Sequence, residues 1–223
     1  DRSDAGGSGL LWVKQMLEEH GIDHSVFGTG EARTLGELAE EVQSGACRMM
    51  LDAADYKKLV RVVDTVLLRL RSGDGENGRL LVEVEERFPD GRCRSTKWLP
   101  GATKDPHENS RQAAERIVRE HLGMKVDDID LVMGGAERFE EDADSPSYPG
   151  VRTVYRKEVI DAVLRPGPLG GSALPDFATW TSKTPRGSTK TFQWHTEASA
   201  EALGIRLTAA GEQAVSTLVR API

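Results

Sequence analysis

Apolar residues recur every three or four positions in two segments near the start of this 223-residue chain. Residues 10–20 carry such a stripe and are followed by Gly21, so they predict an amphipathic helix. A second helix is predicted after Thr34, because Thr34 and Glu37 have the spacing of a capping box, in which each side chain accepts the other residue's backbone N–H. Residues 1–9 are rich in glycine and serine, which indicates a flexible lead-in.

Strand patterns begin at residue 59. Residues 59–70 and 79–86 are dense in valine and leucine, and the Gly/Asp/Asn-rich segment between them indicates a hairpin loop. An extended run over residues 93–98 leads into a Leu-Pro-Gly turn, and residues 151–164 alternate as a long strand does. These segments predict a sheet that occupies the larger, later part of the chain.

The remaining segments complete this pattern. Residues 126–132 lead into a short strand, and the Pro/Gly-rich residues 165–175 are typical of a surface loop. Residues 190–200 form a predicted strand with bulky side chains that runs into a helix. Residues 208–219 predict a closing amphipathic helix, which we expect to cover one face of the sheet.

A polar loop and a helix lie between the two groups of strands. Either Asn109 or Ser110 is the predicted N-cap, because a short polar side chain accepts the free N–H groups of the first turn. Gly123 follows the helix, where chains commonly adopt a left-handed conformation. The side chains predicted to be buried at helical spacing are Ala113, Ala114, Ile117, Val118 and Leu122.

Composition excludes several classes of protein. The net charge of -7 is opposite to the concentrated basic surface that binds a nucleic acid, so no nucleic-acid partner is expected. The two cysteines, Cys47 and Cys93, are far apart and lack the spacing of a zinc site or a disulfide scaffold. No apolar run approaches the roughly 20 residues of a membrane span. We expect a soluble protein of a reducing compartment or an organelle lumen, with no targeting segment visible in the chain.

The stretch from residue 98 to residue 124 carries a motif. Glu108, Arg116, Glu120 and Gly123 have the order and spacing of the Nudix box, G-x5-E-x7-R-E-U-x-E-E-x-G-U, where U is a bulky apolar residue. The chain therefore resembles the family of Nudix hydrolases, which act on nucleoside diphosphates linked to other groups. The further residues that match are Leu99, Pro100, Gly101, Val118 and Met124.

This resemblance implies an α/β fold, namely an α/β/α sandwich with a mixed, curved sheet, over residues 58–223. Residues 10–57, with a further helical turn expected at 51–56, are not part of the family's core and form a helical extension. That extension either packs on the core or offers a surface to a protein partner. The sequence pattern leaves both interpretations open.

Three positions depart from the box. Ala102 replaces its first Gly, Ile117 replaces the Glu after Arg116, and His121 replaces the second Glu of the pair. In the family these helix glutamates carry the divalent metal. Positions 117, 120 and 121 are expected on one helix face, where only Glu120 is a carboxylate. Magnesium prefers carboxylate oxygens, whereas a histidine suits manganese or zinc better.

Other candidate groups lie around the box. The resemblance implies a further metal carboxylate from outside the box, although an acidic run is more often a solvated face; its candidates are Glu137, Glu140 and Glu141. A transition-metal cluster of His107, Glu108, Glu120 and His121 would need the loop to fold back on the helix; His195 ends an aromatic strand. Basic residues that either face a phosphorylated ligand or lie at solvated strand edges are Arg69, Arg71, Lys97 and Lys104.

Two functions follow from the resemblance and its departures. We favour a protein with a degenerate metal box that is a non-catalytic binding or structural subunit of a larger assembly, needs no cofactor and contacts a protein partner through residues 10–57. The alternative is a hydrolase of a nucleoside diphosphate derivative that depends on Mg²⁺ or Mn²⁺. In that case Glu108, Glu120 and His121 are the candidate metal ligands, and Glu120 and Arg116 are the candidate catalytic residues.

Overall fold

The computed structural model describes residues 3–73, 78–165, 179–205 and 218–219. Within them the helices are α1 (Ser3–Glu19), α2 (Leu35–Ser44), α3 (Ser110–Arg116) and α4 (Glu197–Ala202), with short turns of other pitch at Ile117–His121 and Val126–Asp128. The strands are β1 (Arg48–Asp52), β2 (Leu59–Arg71), β3 (Leu80–Arg87), β4 (Cys93–Trp98), β5 (Gly101–Thr103), β6 (Ile129–Asp144), β7 (Arg152–Leu164), β8 (Thr179–Lys183), β9 (Thr189–His195) and β10 (Leu218–Val219).

Strand β2 is the centre of the sheet. One of its edges pairs in parallel with β7 from Val60 to Arg71, and β6 continues the sheet beyond β7 in the antiparallel direction. The other edge pairs in succession with β1, β5 and β3, so the sheet divides along β2. Strands β4 and β9 pair with β3, and β8 pairs with β9. This mixed, curved sheet with helices confirms the predicted α/β fold class.

The N-terminal extension differs from the prediction in two places. Helix α1 begins at Ser3, so residues 3–9 continue a helix and are not the predicted lead-in. The predicted helical turn over residues 51–56 is wrong, because β1 occupies part of it and pairs with β2 through Met50 and Val60. Helix α2 begins as predicted, since Thr34 and Glu37 form the capping box.

The extension packs on the sheet. Val13 and Leu17 of α1 and Leu38 of α2 share one apolar cluster with Val63 of β2 and Tyr148. Burial of leucine side chains of this kind stabilises a fold by roughly 2 kcal/mol each. Of the two interpretations that the sequence left open, the described contacts therefore show packing on the core.

Helix α3 and the turn after it lie against another part of the sheet. Their buried side chains, among them Ala113, Ile117 and Leu122, contact Leu68 of β2 and Phe192 of β9. The stripe predicted for this helix is buried as expected. The helix that carries the box residues is thus fixed by an apolar core on one side.

Other predicted segments have mixed outcomes. Strand β6 does not end before the acidic residues but continues through Gly134 to Asp144, with a register shift between Val132 and Glu137. The predicted closing helix over 208–219 and the loop over 165–175 lie almost entirely outside the described residues. Cys47 is buried and Cys93 is exposed, and both are free thiols. No helix in the described ranges combines the length and hydropathy that a bilayer crossing needs.

Candidate functional site

The loop before α3 is closed by a capping box. Asn109, not Ser110, is the N-cap, and its side chain accepts the Gln112 backbone N–H at 2.9 Å while the Gln112 side chain accepts the Asn109 N–H at 2.9 Å. Ser110 instead donates its hydroxyl to the Glu158 carboxylate of β7 at 2.6 Å. These bonds fix the start of the helix to both its own loop and the sheet.

Arg116 and Glu108 form the strongest polar contact of the box. The Arg116 guanidinium donates from Nε to Glu108 Oε1 at 2.6 Å and from Nη2 to Oε2 at 2.8 Å, which is the paired geometry of strong arginine–carboxylate contacts. Arg116 also donates to the Thr103 carbonyl at 2.9 Å. The hydrogen bonds from Arg116 hold the pKa of Glu108 below its ordinary value. Glu108 therefore braces the loop, since both of its oxygens already accept protein hydrogen bonds.

The three positions expected on one helix face are separated by their burial. After Arg116 the helix widens into a π-turn over Ile117–His121, closed by the Leu122 N–H bonding to the Ile117 carbonyl at 3.0 Å. Ile117 is 0% exposed in the core, whereas Glu120 is exposed and His121 is partly buried. The three side chains therefore do not form one metal-binding face, because the apolar Ile117 packs into the core while Glu120 is exposed to solvent.

His121 is held in the neutral form. Burial lowers its pKa to about 4, and the nearby charges of Lys190 and Arg116 act in the same direction. Its Nδ1 atom is buried and has no hydrogen-bond partner among the described residues. Both cations are paired with carboxylates, Lys190 with Glu83 and Arg116 with Glu108, so burial is the main reason that the ring stays neutral.

This protonation state gives a direct prediction. The ring resonances of His121 should stay in their neutral position as the pH falls from 8 to 5 and should titrate near pH 4. Because the folded pKa lies below the ordinary value of 6.5, the group reduces the stability of the fold as the pH falls from about 6.5 to about 4. A proton NMR titration checks this, with His121→Gln identifying the signal; a midpoint near pH 6.5 would contradict the burial argument.

The donor set at these positions suits magnesium poorly. Magnesium usually keeps several waters and is bound through one or two carboxylates together with phosphate oxygens, and of positions 117, 120 and 121 only Glu120 supplies a carboxylate. Among the described residues no group of three His, Cys, Asp or Glu side chains lies close enough to hold a metal ion. The predicted cluster of His107, Glu108, Glu120 and His121 is therefore not assembled.

The acidic strand also does not supply metal ligands. Glu137 accepts from Arg69 at 3.0 Å, and the other two candidates bond to neighbours on β7, Glu140 to Arg156 at 2.9 Å and Glu141 to Lys157 at 2.8 Å. Each carboxylate is neutralised by a basic side chain, as expected of a charged sheet surface.

The predicted basic residues do not converge on a ligand site. Arg69 is buried in a paired contact with Asp161, at 2.6 and 2.7 Å, and Arg71 bonds to Asp161 and Glu197. Lys97 is exposed on β4. His195 is buried and lies 3.1 Å from the Ser199 hydroxyl. These residues serve the fold at the positions where the structure places them.

A cleft of about 650 Å³ lies between the N-terminal extension and the sheet. Its lining includes five basic side chains, Arg33, Arg61, Arg94, Lys157 and Lys190. Sequence reasoning missed all five, because each is a single basic residue in a strand or loop and their convergence depends on long-range pairing. Glu120 and His121 do not line this cleft, although Lys190 lies close to both the cleft and His121.

Buried ion pairs form the end of the cleft at β9. Lys190 donates to Glu83 Oε2 at 2.8 Å, and the Glu83 side chain is completely buried. Glu86, three positions after Glu83 on β3, accepts a hydrogen bond from Arg94 at 2.7 Å and one from Ser188 at 3.0 Å. Two ion pairs, in which each cation is matched by a carboxylate, thus lie at this end of the cleft.

Comparison with known proteins gives only distant likenesses. No family model and no curated protein matches the chain. A C. elegans Ap4A hydrolase in a binary complex is 13% identical, with 63% of this chain and 85% of that chain covered at a TM-score of 0.40. A Nudix hydrolase from M. smegmatis, RenU, is 18% identical, with 72% and 86% covered at a TM-score of 0.38. These likenesses are too distant to assign an activity.

Proposed function

We propose that this protein is a Nudix-like binding protein that uses the box as a structural brace and does not hydrolyse a diphosphate. The observation that carries the proposal is the replacement of the metal face. Ile117 is part of the apolar core, and His121 is neutral beside Lys190. The brace itself is intact, since Arg116 and Glu108 keep their paired contact. The chain therefore retains the residues that shape the loop, while Ile117 and His121 stand where the box has two glutamates.

A protein partner for residues 10–57 remains part of this proposal. Most apolar side chains of the extension pack inside the protein, as Leu17 and Leu38 do. On the outer side of α1, Leu11 is 68% exposed and Trp12 is also exposed. These two side chains support a protein contact through α1, and they narrow the predicted partner surface from the whole extension to one helix.

The hydrolase remains the second candidate. The Arg116–Glu108 contact fits a hydrolase as well as a binding protein, so it does not separate the two candidates. The observation that favours the hydrolase is Glu120, an exposed carboxylate at a glutamate position of the box. In this candidate Glu120 is the group on which both metal binding and turnover depend.

Metal binding separates the two candidates. Titration calorimetry of the full chain with Mg²⁺ and with Mn²⁺ should give no heat of binding, and a panel of diphosphate compounds should show no metal-dependent turnover. The physical reason is that Glu120 alone replaces little of the ion's water shell, so binding through this one carboxylate is weak. Glu120→Gln should then behave as the wild type in both measurements.

The opposite result has a clear form. Binding of either ion that Glu120→Gln abolishes, together with phosphate release in the wild type, would establish the hydrolase and overturn the binding-protein proposal. Arg119→Gln is the matched control, because Arg119 is an exposed charge on the same turn with no role in either candidate. Binding that Glu120→Gln leaves unchanged would instead indicate association of the ion elsewhere on the surface.

A further inference from the structure

The cleft between the extension and the sheet has two chemically different sides. The extension contributes Arg33 and Glu41, and the sheet contributes Arg61 on the same side. Strand β4 contributes Trp98 and Arg94. Its volume of about 650 Å³ is within the range of pockets that bind small organic molecules, roughly 300 to 1,000 Å³.

Two guanidinium groups share one carboxylate at the extension. Arg33 Nη1 donates to Glu41 Oε1 at 2.6 Å, and Arg61 Nη2 donates to Glu41 Oε2 at 2.6 Å. The Tyr148 hydroxyl also donates to Glu41, at 3.0 Å, and burial raises the pKa of Tyr148, so it stays neutral. Burial likewise raises the pKa of the adjacent Cys47 thiol to about 11. Glu41 therefore balances one of two positive charges.

The other three basic residues of the cleft do not share a carboxylate. Lys157 bonds to Glu141, and Lys190 bonds to Glu83, each with a carboxylate of its own. Arg94 bonds to Glu86. The remaining acids of the lining, Glu31 and Asp144, are exposed to solvent, which screens their charge. The surplus positive charge is thus located at Arg33 and Arg61.

Arg61 also has hydrogen-bond donors that lack acceptors. Arg61 is only 6% exposed, and its Nε and Nη1 atoms have no acceptor among the described residues. Without an acceptor at these atoms, the Arg61 charge is compensated through Glu41 alone and adds to the positive potential on this side of the cleft. Arg33 is the more exposed of the pair, so a ligand would contact Arg33 directly while Arg61 contributes its charge from behind.

Strand β4 presents a flat apolar surface. Trp98 is 40% exposed, and the Arg94 guanidinium lies 5.2 Å from the centre of its ring. Leu67 and Leu99 add buried apolar side chains to the lining. Exposed tryptophan rings bind planar aromatic groups by offset stacking.

We infer that this cleft binds an organic anion with a planar aromatic body, without a metal ion: its oxyanion binds at Arg33 and its ring packs on Trp98. The inference deepens the proposed binding function and rests on it. The added N-terminal extension then determines ligand specificity, because it supplies Arg33 and Glu41. The oxyanion is a carboxylate or a phosphate ester, since a guanidinium recognises both through paired N–H groups.

The test uses the full chain in the presence of EDTA, with 8-anilinonaphthalene-1-sulfonate as a fluorescent aromatic anion. Wild-type protein should bind the dye at one site, from which benzoate or phenyl phosphate displaces it and neutral benzyl alcohol does not. The stronger competitor identifies the preferred oxyanion. Arg33→Gln and Trp98→Leu should each weaken dye binding about tenfold, the effect of one lost charge-assisted contact. Arg119→Gln, which removes an exposed charge outside the cleft, should leave the affinity for the dye within about twofold of the wild-type value.

Arg33→Gln should fold, because Arg61 and Tyr148 still bond to Glu41, and circular dichroism verifies this. If it does not, Arg33→Lys replaces it, with a smaller loss expected because the charge remains. Equal affinity in the Arg33 and Arg119 variants, or displacement by benzyl alcohol, overturns the inference. Such a failure is distinct from that of the proposed function, which metal-dependent turnover would overturn. Dye binding is measured without metal, so the two results are independent.

Discussion

Replacing Leu17 by alanine is expected to lower the free energy of unfolding of the whole protein by about 3 kcal/mol, the cost typical of leucine truncation in a packed core. Leu17 is 0% exposed on α1 and packs in the cluster that joins both helices of the extension to β2. Truncation leaves a cavity that the sheet on one side and Leu38 on the other cannot readily fill. A loss of this size is a large part of the stability of an ordinary domain.

Urea unfolding followed by circular dichroism measures this effect. The variant should lose stability in a single transition that includes the sheet, because the extension and the sheet share one apolar cluster. Leu11→Ala is the control, since it removes the same atoms from the same helix at a position that is 68% exposed. If Leu17→Ala lowered only a separate early transition and left the main one unchanged, the extension would be an independent unit.

The same contacts bear on where the core begins. A boundary at residue 58 was predicted because the dense apolar pattern starts there. In the structure β1 precedes that boundary and pairs with β2 through Met50 and Val60. Removal of the residues before Leu59 would therefore expose a strand edge as well as an apolar face.

Local signals were predictable from the sequence, and long-range ones were not. Helices α2 and α3 begin with capping boxes, at Thr34 with Glu37 and at Asn109 with Gln112. Each box joins residues three positions apart, so a local sequence pattern can indicate it. The sequence predicts Glu108 and Arg116 as box residues, with Glu108 as a candidate metal ligand, whereas the bond between their side chains is seen only in the structure. The π-turn at Ile117 could not be foreseen, since it depends on how the helix packs on the sheet.

The cleft illustrates the same limit. Arg33, Arg61 and Arg94 come from a loop and two strands that no local pattern connects. Lys190 was correctly placed on a strand, but its partner Glu83 lies 107 positions earlier in the chain. Sheet register decides such contacts, and a single sequence does not determine the register between distant strands.

The pair formed by Lys190 and Glu83 gives the second large effect. Lys190→Met should lower the free energy of unfolding at pH 8 by about 3 to 5 kcal/mol, because it leaves a buried carboxylate without its cation. Glu83 is 0% exposed, and Lys190 Nζ lies 2.8 Å from its Oε2 atom. The double variant Glu83→Gln with Lys190→Met should recover most of that loss, since it carries no buried charge at either position.

The pH dependence of this loss distinguishes a buried charge from a simple packing defect. Burial raises the pKa of Glu83 above its ordinary 4.5, and Lys190 opposes that rise, so the pKa should be higher still in Lys190→Met. A carboxyl with a raised folded pKa binds more protons when folded than when unfolded, so its contribution to stability falls as the pH increases above about 4.5. Lys190→Met should therefore lose less free energy of unfolding at pH 5 than at pH 8.

Urea unfolding of wild type, Lys190→Met and the double variant at pH 5, 6.5 and 8 tests this. Lys190 also lowers the pKa of His121, so its removal makes protonation of His121 less costly at pH 5, in the same direction as the Glu83 effect. The double variant separates the two, because it lacks Lys190 and has no titrating group at position 83. An equal loss at pH 5 and pH 8, with no recovery in the double variant, would show that Lys190 acts through packing. If the loss depends on pH and the double variant recovers stability, the charge of Lys190 balances the buried carboxylate of Glu83.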